Sequence, residues 1–99
     1  MTTTNIYIST PGEILLEEFL KPLSISQYQL AKAIKKPQSA VSDIVLGKRS
    51  ITVEMAVLFG KALGTSPNFW LNLENTYRLK TIDKDFAQDV PVLAASITA

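Results

Sequence analysis

Neither histidine nor cysteine occurs in these 99 residues, so few side chains are equipped for covalent or metal chemistry. Their absence argues against thiolate and imidazole metal sites, a cysteine nucleophile and a Ser-His-Asp relay. Glu13, Glu17 and Glu18 are close enough in sequence for paired acid/base work, but no basic or nucleophilic residue stands at a matching spacing. They read instead as the solvent side of a helix. What remains is hydrogen-bonding chemistry. At about 100° per residue, Gln38, Ser39, Ser42, Asp43 and Leu46 fall on one side of a helix, and Val41, Ile44 and Val45 fall on the other. A glutamine amide can contact adenine N6 and N7 together, serine hydroxyls can bond several base edges or phosphates, and a carboxylate can accept from a cytosine amino group. Asp43 has an equally good second role, as the ion-pair partner of Lys48 or Arg49.

The charge around this segment is uneven. Residues 32–49 carry Lys32, Lys35, Lys36, Lys48 and Arg49 against Asp43, a local charge of +4 in a chain of formal net charge +1. An isolated cluster of this size is a solvated face; placed on a pair of helices with DNA-reading spacing, it becomes an electrostatic footprint. Lys36, Lys48 and Arg49 flank the polar face and suit phosphate contacts on either side of a groove. Gln27, in the first turn of the preceding helix, can offer its amide and its backbone N–H to a phosphate where the helix dipole favours an anion.

The elements that position these residues are a succession of short helices. Thr10-Pro11-Gly12-Glu13 is a capping box with proline at the first helical position, so a helix is predicted from Pro11 to about Lys21, with Leu15, Leu16, Phe19 and Leu20 as its buried stripe. Ser26 with Gln29 opens a second helix through Leu30, Ala31 and Ile34, and the third runs from Pro37 or Gln38 to Leu46, stopped by Gly47. Thr52 caps a fourth, with Val53, Ala56, Val57, Gly60 and Leu63 expected on its buried face and Gly64 ending it. Ser66-Pro67 opens a fifth helix to about Thr81. Phe69, Trp70, Leu73 and Tyr77 form one apolar stripe on it, and Leu71, Leu79 and Ile82 a second. The second stripe fits a dimer interface or burial under the chain termini.

The expected fold class is therefore all-α, one domain with a single core, as a chain of this length with 46% hydrophobic and 19% charged residues allows. Helix-turn-helix residues 10–82 are expected between an N-terminal tail, 1–9, and a C-terminal tail, 83–99. An extended segment around Ile6, Tyr7 and Ile8 is an alternative for the first tail. No apolar run approaches the roughly 18 residues that span a bilayer, and MTTTN lacks a basic region followed by an apolar segment. A cytoplasmic protein without cofactor or metal is expected, and not an enzyme.

The strings PGEILLEEFLKPL, SQYQLAKAI, GKRSIT and ALGTSPNFWLNLENTYRLK, spread over residues 11–81, resemble the HigA family of antitoxins, also described as VapI-like virulence-associated proteins, within the Xre/Cro helix-turn-helix group. The helix-turn-helix alone is Xre-like; the PGE start and SPNFWLNLENTY carry the narrower likeness. It implies a five-helix, lambda-repressor-like DNA-binding domain that binds a palindromic operator as a homodimer, represses its own operon and neutralises a HigB toxin resembling RelE, which cuts messenger RNA. By position, the resemblance puts Gln38, Ser39, Ser42 and Asp43 on the base-reading face and Gln27, Lys48 and Arg49 at phosphates. Two departures stand out: Thr10 where many members have histidine, and Lys35 where the turn commonly has glycine. A stand-alone Xre-type regulator without a toxin has the same reading unit and is the alternative.

Overall fold

A computed structural model describes residues 9–94. Its architecture is five helices, with no strand among the described residues. The expected extended segment around Ile6 to Ile8 lies outside them. Helix α1 starts as Pro11–Ile14 and continues in π-helical form over Leu15–Leu20. Then follow α2, Gln27–Ile34; α3, Gln38–Val45; α4, Val53–Leu63; and α5, Pro67–Thr81. A 3₁₀ turn, Lys84–Ala87, follows α5. No described helix is long and apolar enough to cross a membrane.

The helix starts obey local chemistry. Thr10 Oγ1 accepts the Glu13 N–H at 3.1 Å while Glu13 Oε1 accepts the Thr10 N–H at 2.9 Å. Ser26 and Gln29 repeat this exchange at 3.0 and 2.8 Å. Thr52 and Ser66 cap α4 and α5 through the N–H groups of Met55 and Phe69. Each oxygen satisfies a donor that a helix start leaves without an intrahelical partner. Gly64 closes α4 at φ 77°. The π-helical part of α1 explains its buried pair: in that register residues five apart come close to alignment, and Leu15 and Leu20 are both fully buried.

One core joins all five helices. Its centre is Trp70, whose ring lies 5.0 Å from Phe19, 5.5 Å from Phe59 and 4.9 Å from Phe69, centroid to centroid. The indole N–H donates to Thr65 Oγ1 at 2.7 Å.

Two expectations about faces need correction. On α4 the buried face is Met55, Ala56, Phe59 and Gly60, whereas Val53 and Val57 are 66% and 44% exposed. The helix is rotated toward its larger side chains, because Phe59 and Met55 remove more apolar area from water than two valines do. On α5, Leu71 is half-buried and packs on the same core. The solvent side of the second stripe is left to Leu79, 63% exposed, and Ile82, 48% exposed and beyond the helix end in extended conformation.

Candidate nucleic-acid interface

Helix α3 is brought to the surface by close backbone approaches. Ala31 of α2 is buried in the core, and a small side chain there suits the packing of α2 against α3. Gly12, in the first turn of α1, lies against the last turn of α3, where a Cβ would overlap the Ile44 carbonyl. Val41 and Ile44 complete the inner side of α3 and are fully buried. Gln38 and Ser39 project into solvent, Ser42 and Asp43 are half-buried on the same side, and Leu46 is exposed just beyond the helix. The predicted polar face is thus assembled on one surface.

Two side chains of that face are already oriented. Ser42 Oγ donates to Gln27 Oε1 at 2.8 Å, a bond between the first residue of α2 and the middle of α3. With its oxygen engaged, the Gln27 amide is left its N–H groups as donors, the polarity a phosphate requires. Asp43 Oδ2 lies 3.5 Å from Arg49 Nη2, so the ion-pair role is the one this structure records. Both side chains are substantially exposed. Such a pair contributes little to stability and can exchange for a phosphate contact.

The cations are not equivalent. Lys36 Nζ sits 2.9 Å from Glu54 Oε2 in the first turn of α4, so a phosphate would have to compete with that carboxylate. Lys48 is exposed and forms no salt bridge among the described residues. Lys35 takes the left-handed conformation at φ 61°, ψ 43°, which turns the chain between α2 and α3 without glycine. Gly47 does the same after α3 at φ 80°.

Glu74 belongs to this region, although its sequence position gives little sign of it. At 8% exposure it is the one buried charged residue among the described residues. Its Oε1 accepts the Ile51 N–H at 3.0 Å and its Oε2 accepts Arg78 Nε at 2.7 Å. The spacing of Glu74 and Arg78 marks an i,i+4 pair; the bond to Ile51, far along the chain, has no sequence signal. A cavity of about 160 Å³ opens beside it, with Lys48, Arg49, Ser50 and Arg78 in its wall.

This arrangement matches known proteins. A helix-turn-helix family model covers residues 16–70. Virulence-associated protein I of Dichelobacter nodosus is 40% identical over 75 residues, 76% of this chain and 69% of the relative. The structure of Pseudomonas aeruginosa antitoxin HigA with the higBA promoter superposes with a TM-score of 0.73 at 43% identity, covering 76% of this chain and 82% of that one. Antitoxin GraA in complex with its operator gives a TM-score of 0.78 at 32% identity, over 89% and 93% of the two chains. On this evidence the chain belongs to the Xre-type helix-turn-helix family that includes the HigA antitoxins and virulence-associated protein I.

Proposed function

We propose that this chain is a sequence-specific DNA-binding repressor that occupies its own operator as a dimer and acts as the antitoxin of a type II toxin-antitoxin pair, neutralising a RelE-like, mRNA-cleaving toxin of the HigB type. The observation that supports it most is the division of α3: a buried apolar side and, opposite, Gln38, Ser39, Ser42 and Asp43 at the surface beside Lys48 and Arg49. A relative of 43% identity with the same fold is an antitoxin solved with its promoter.

Residues 10–82 act as the DNA-binding domain. One domain reads half a site. Two subunits set their α3 helices in successive major grooves about 34 Å apart, one turn of B-DNA. Gln38 is assigned to a base edge, with Ser39, Ser42 and Asp43 beside it, and Gln27, Lys48 and Arg49 to phosphates. Lys36 joins them only by leaving Glu54. Leu79 and Ile82 supply apolar surface for the dimer seam, with Leu71 behind them. The activity is binding, not catalysis, and its place is the cytoplasm, where the operator is.

The test is co-expression of the tagged chain with the small open reading frame beside its gene, together with binding to a DNA fragment spanning their promoter. A co-purifying product that arrests growth only when this chain is missing, plus promoter binding, is the expected result. Promoter binding with no partner and no toxicity would replace the antitoxin role with that of a stand-alone regulator.

A further inference from the structure

The loop that leaves the reading helix carries Lys48 and Arg49, and it is tied at both ends. At its start the Asp43 carbonyl accepts the Lys48 N–H at 2.8 Å and the Arg49 N–H at 3.2 Å. At its end the Ile51 N–H donates to Glu74 Oε1, contributed by α5. Ile51 is itself buried in the core, so its N–H has no access to bulk water and needs an acceptor. A carboxylate is a costly acceptor to bury, since a charge taken out of water must be paired. Arg78 supplies that pairing through Oε2, and it stands in the wall of the same cavity as Lys48, Arg49 and Ser50.

We infer that Glu74 is a positioning residue for binding of the DNA backbone. By holding the Ile51 N–H it fixes where Lys48 and Arg49 meet the phosphates, without itself touching DNA. Charge-assisted contacts to phosphate form over a narrow distance range. A loop held in place beforehand does not have to be ordered at the moment of binding. The inference rests on the DNA-binding role proposed above and adds to it a connection from α5 to the phosphate contacts.

The experiment measures the affinity of the full chain for its promoter fragment and for random DNA as a function of salt. The variants are Lys48→Ala, Glu74→Gln, Glu74→Asp and the Glu74→Asp/Lys48→Ala pair, with a thermal melt for each. Lys48→Ala alone should reduce the log–log salt slope by about 0.9, the share of one phosphate contact. Glu74→Gln keeps an amide oxygen for the Ile51 N–H; its amide nitrogen cannot accept from Arg78, whose exposed side chain is released to water, and with the buried charge gone affinity should stay close to that of the unmodified chain. Glu74→Asp keeps the charge but is one methylene too short to reach. It should weaken binding to both DNAs roughly tenfold and flatten the slope, leaving Lys48→Ala little further effect. Full additivity of the two substitutions, or a loss in Glu74→Gln as large as in Glu74→Asp, overturns the inference. Should Glu74→Asp fail to fold, amide hydrogen exchange on the unmodified chain decides: Ile51 must exchange as slowly as core amides, and exchange at a loop rate overturns the clamp. An unmodified chain that binds neither DNA at low salt removes the DNA-binding role itself, whereas binding with additive losses removes only the role of Glu74.

Discussion

The two ends of this molecule are held together by opposite means. At the reading end, outside the buried Val41 and Ile44, the close contacts are made by small groups: Gly12 against the Ile44 carbonyl, and one hydrogen bond from Ser42 to Gln27. At the anchor end they are large: Trp70 sits among Phe19, Phe59 and Phe69, and its N–H is satisfied by Thr65. Small residues bring backbones close and leave the outer face of α3 with no packing duty, whereas aromatic rings remove the most area from water per residue. The aromatic packing is concentrated at one end of the domain and the exposed polar face of α3 at the other.

The sharpest way to break this contrast is to remove the central ring. Trp70→Ala should cost about 3–5 kcal/mol, since both the transfer energy and the cavity left behind count against it. That is a large share of the roughly 5–15 kcal/mol a domain has to lose. Urea unfolding measures it, and a loss below about 1 kcal/mol would show that the anchor is elsewhere. At the reading end Gln38→Ala should leave the melt within about 0.5 kcal/mol of the parent, because an exposed side chain with no hydrogen-bond partner among the described residues has little stability to forfeit. Affinity for the cognate operator should nevertheless fall by about 1–3 kcal/mol, with random DNA unaffected. Equal losses on both DNAs would take Gln38 off the base-reading face. The smallest effect belongs to the turn between α2 and α3. Lys35→Gly relieves a left-handed side chain at φ 61° and, after the extra freedom glycine has when unfolded, should raise stability by up to about 1 kcal/mol. A thermal melt that moves downward would mean the lysine stem packs usefully at that corner.

What the chain disclosed in advance divides along a physical line. Four of the five helix starts were legible because a cap is chemistry between residues three apart: Thr10 with Glu13, Ser26 with Gln29, Thr52 with Met55, Ser66 with Phe69; α3 follows Pro37 with no side-chain cap. The left-handed stops at Gly47 and Gly64 were legible for the same reason, whereas at Lys35 only the family's usual glycine pointed to the turn. The buried side of α4 was not, since VEMAVLFGKAL is apolar nearly all round and its periodicity selects no single face. Only packing decides there, and it chose Met55 and Phe59 over Val53 and Val57. Of the interface residues, the polar side of α3 could be read from spacing, but not the partners of Lys36 and Ile51. Glu54 and Glu74 reach them across long stretches of chain, and a carboxylate in a helix ordinarily signals solvent.

The bond between Ser42 and Gln27 has a consequence for how such a protein can change its target. Ser42 lies on the polar side of α3 proposed to read bases and also bonds Gln27, so a replacement that removes its hydroxyl alters both in one mutational step. Effects at residues that share a hydrogen bond do not add. A lineage leaving one operator for another therefore cannot retune position 42 and position 27 independently. Its accessible routes run through paired substitutions, and the space between neighbouring specificities is crossed in jumps.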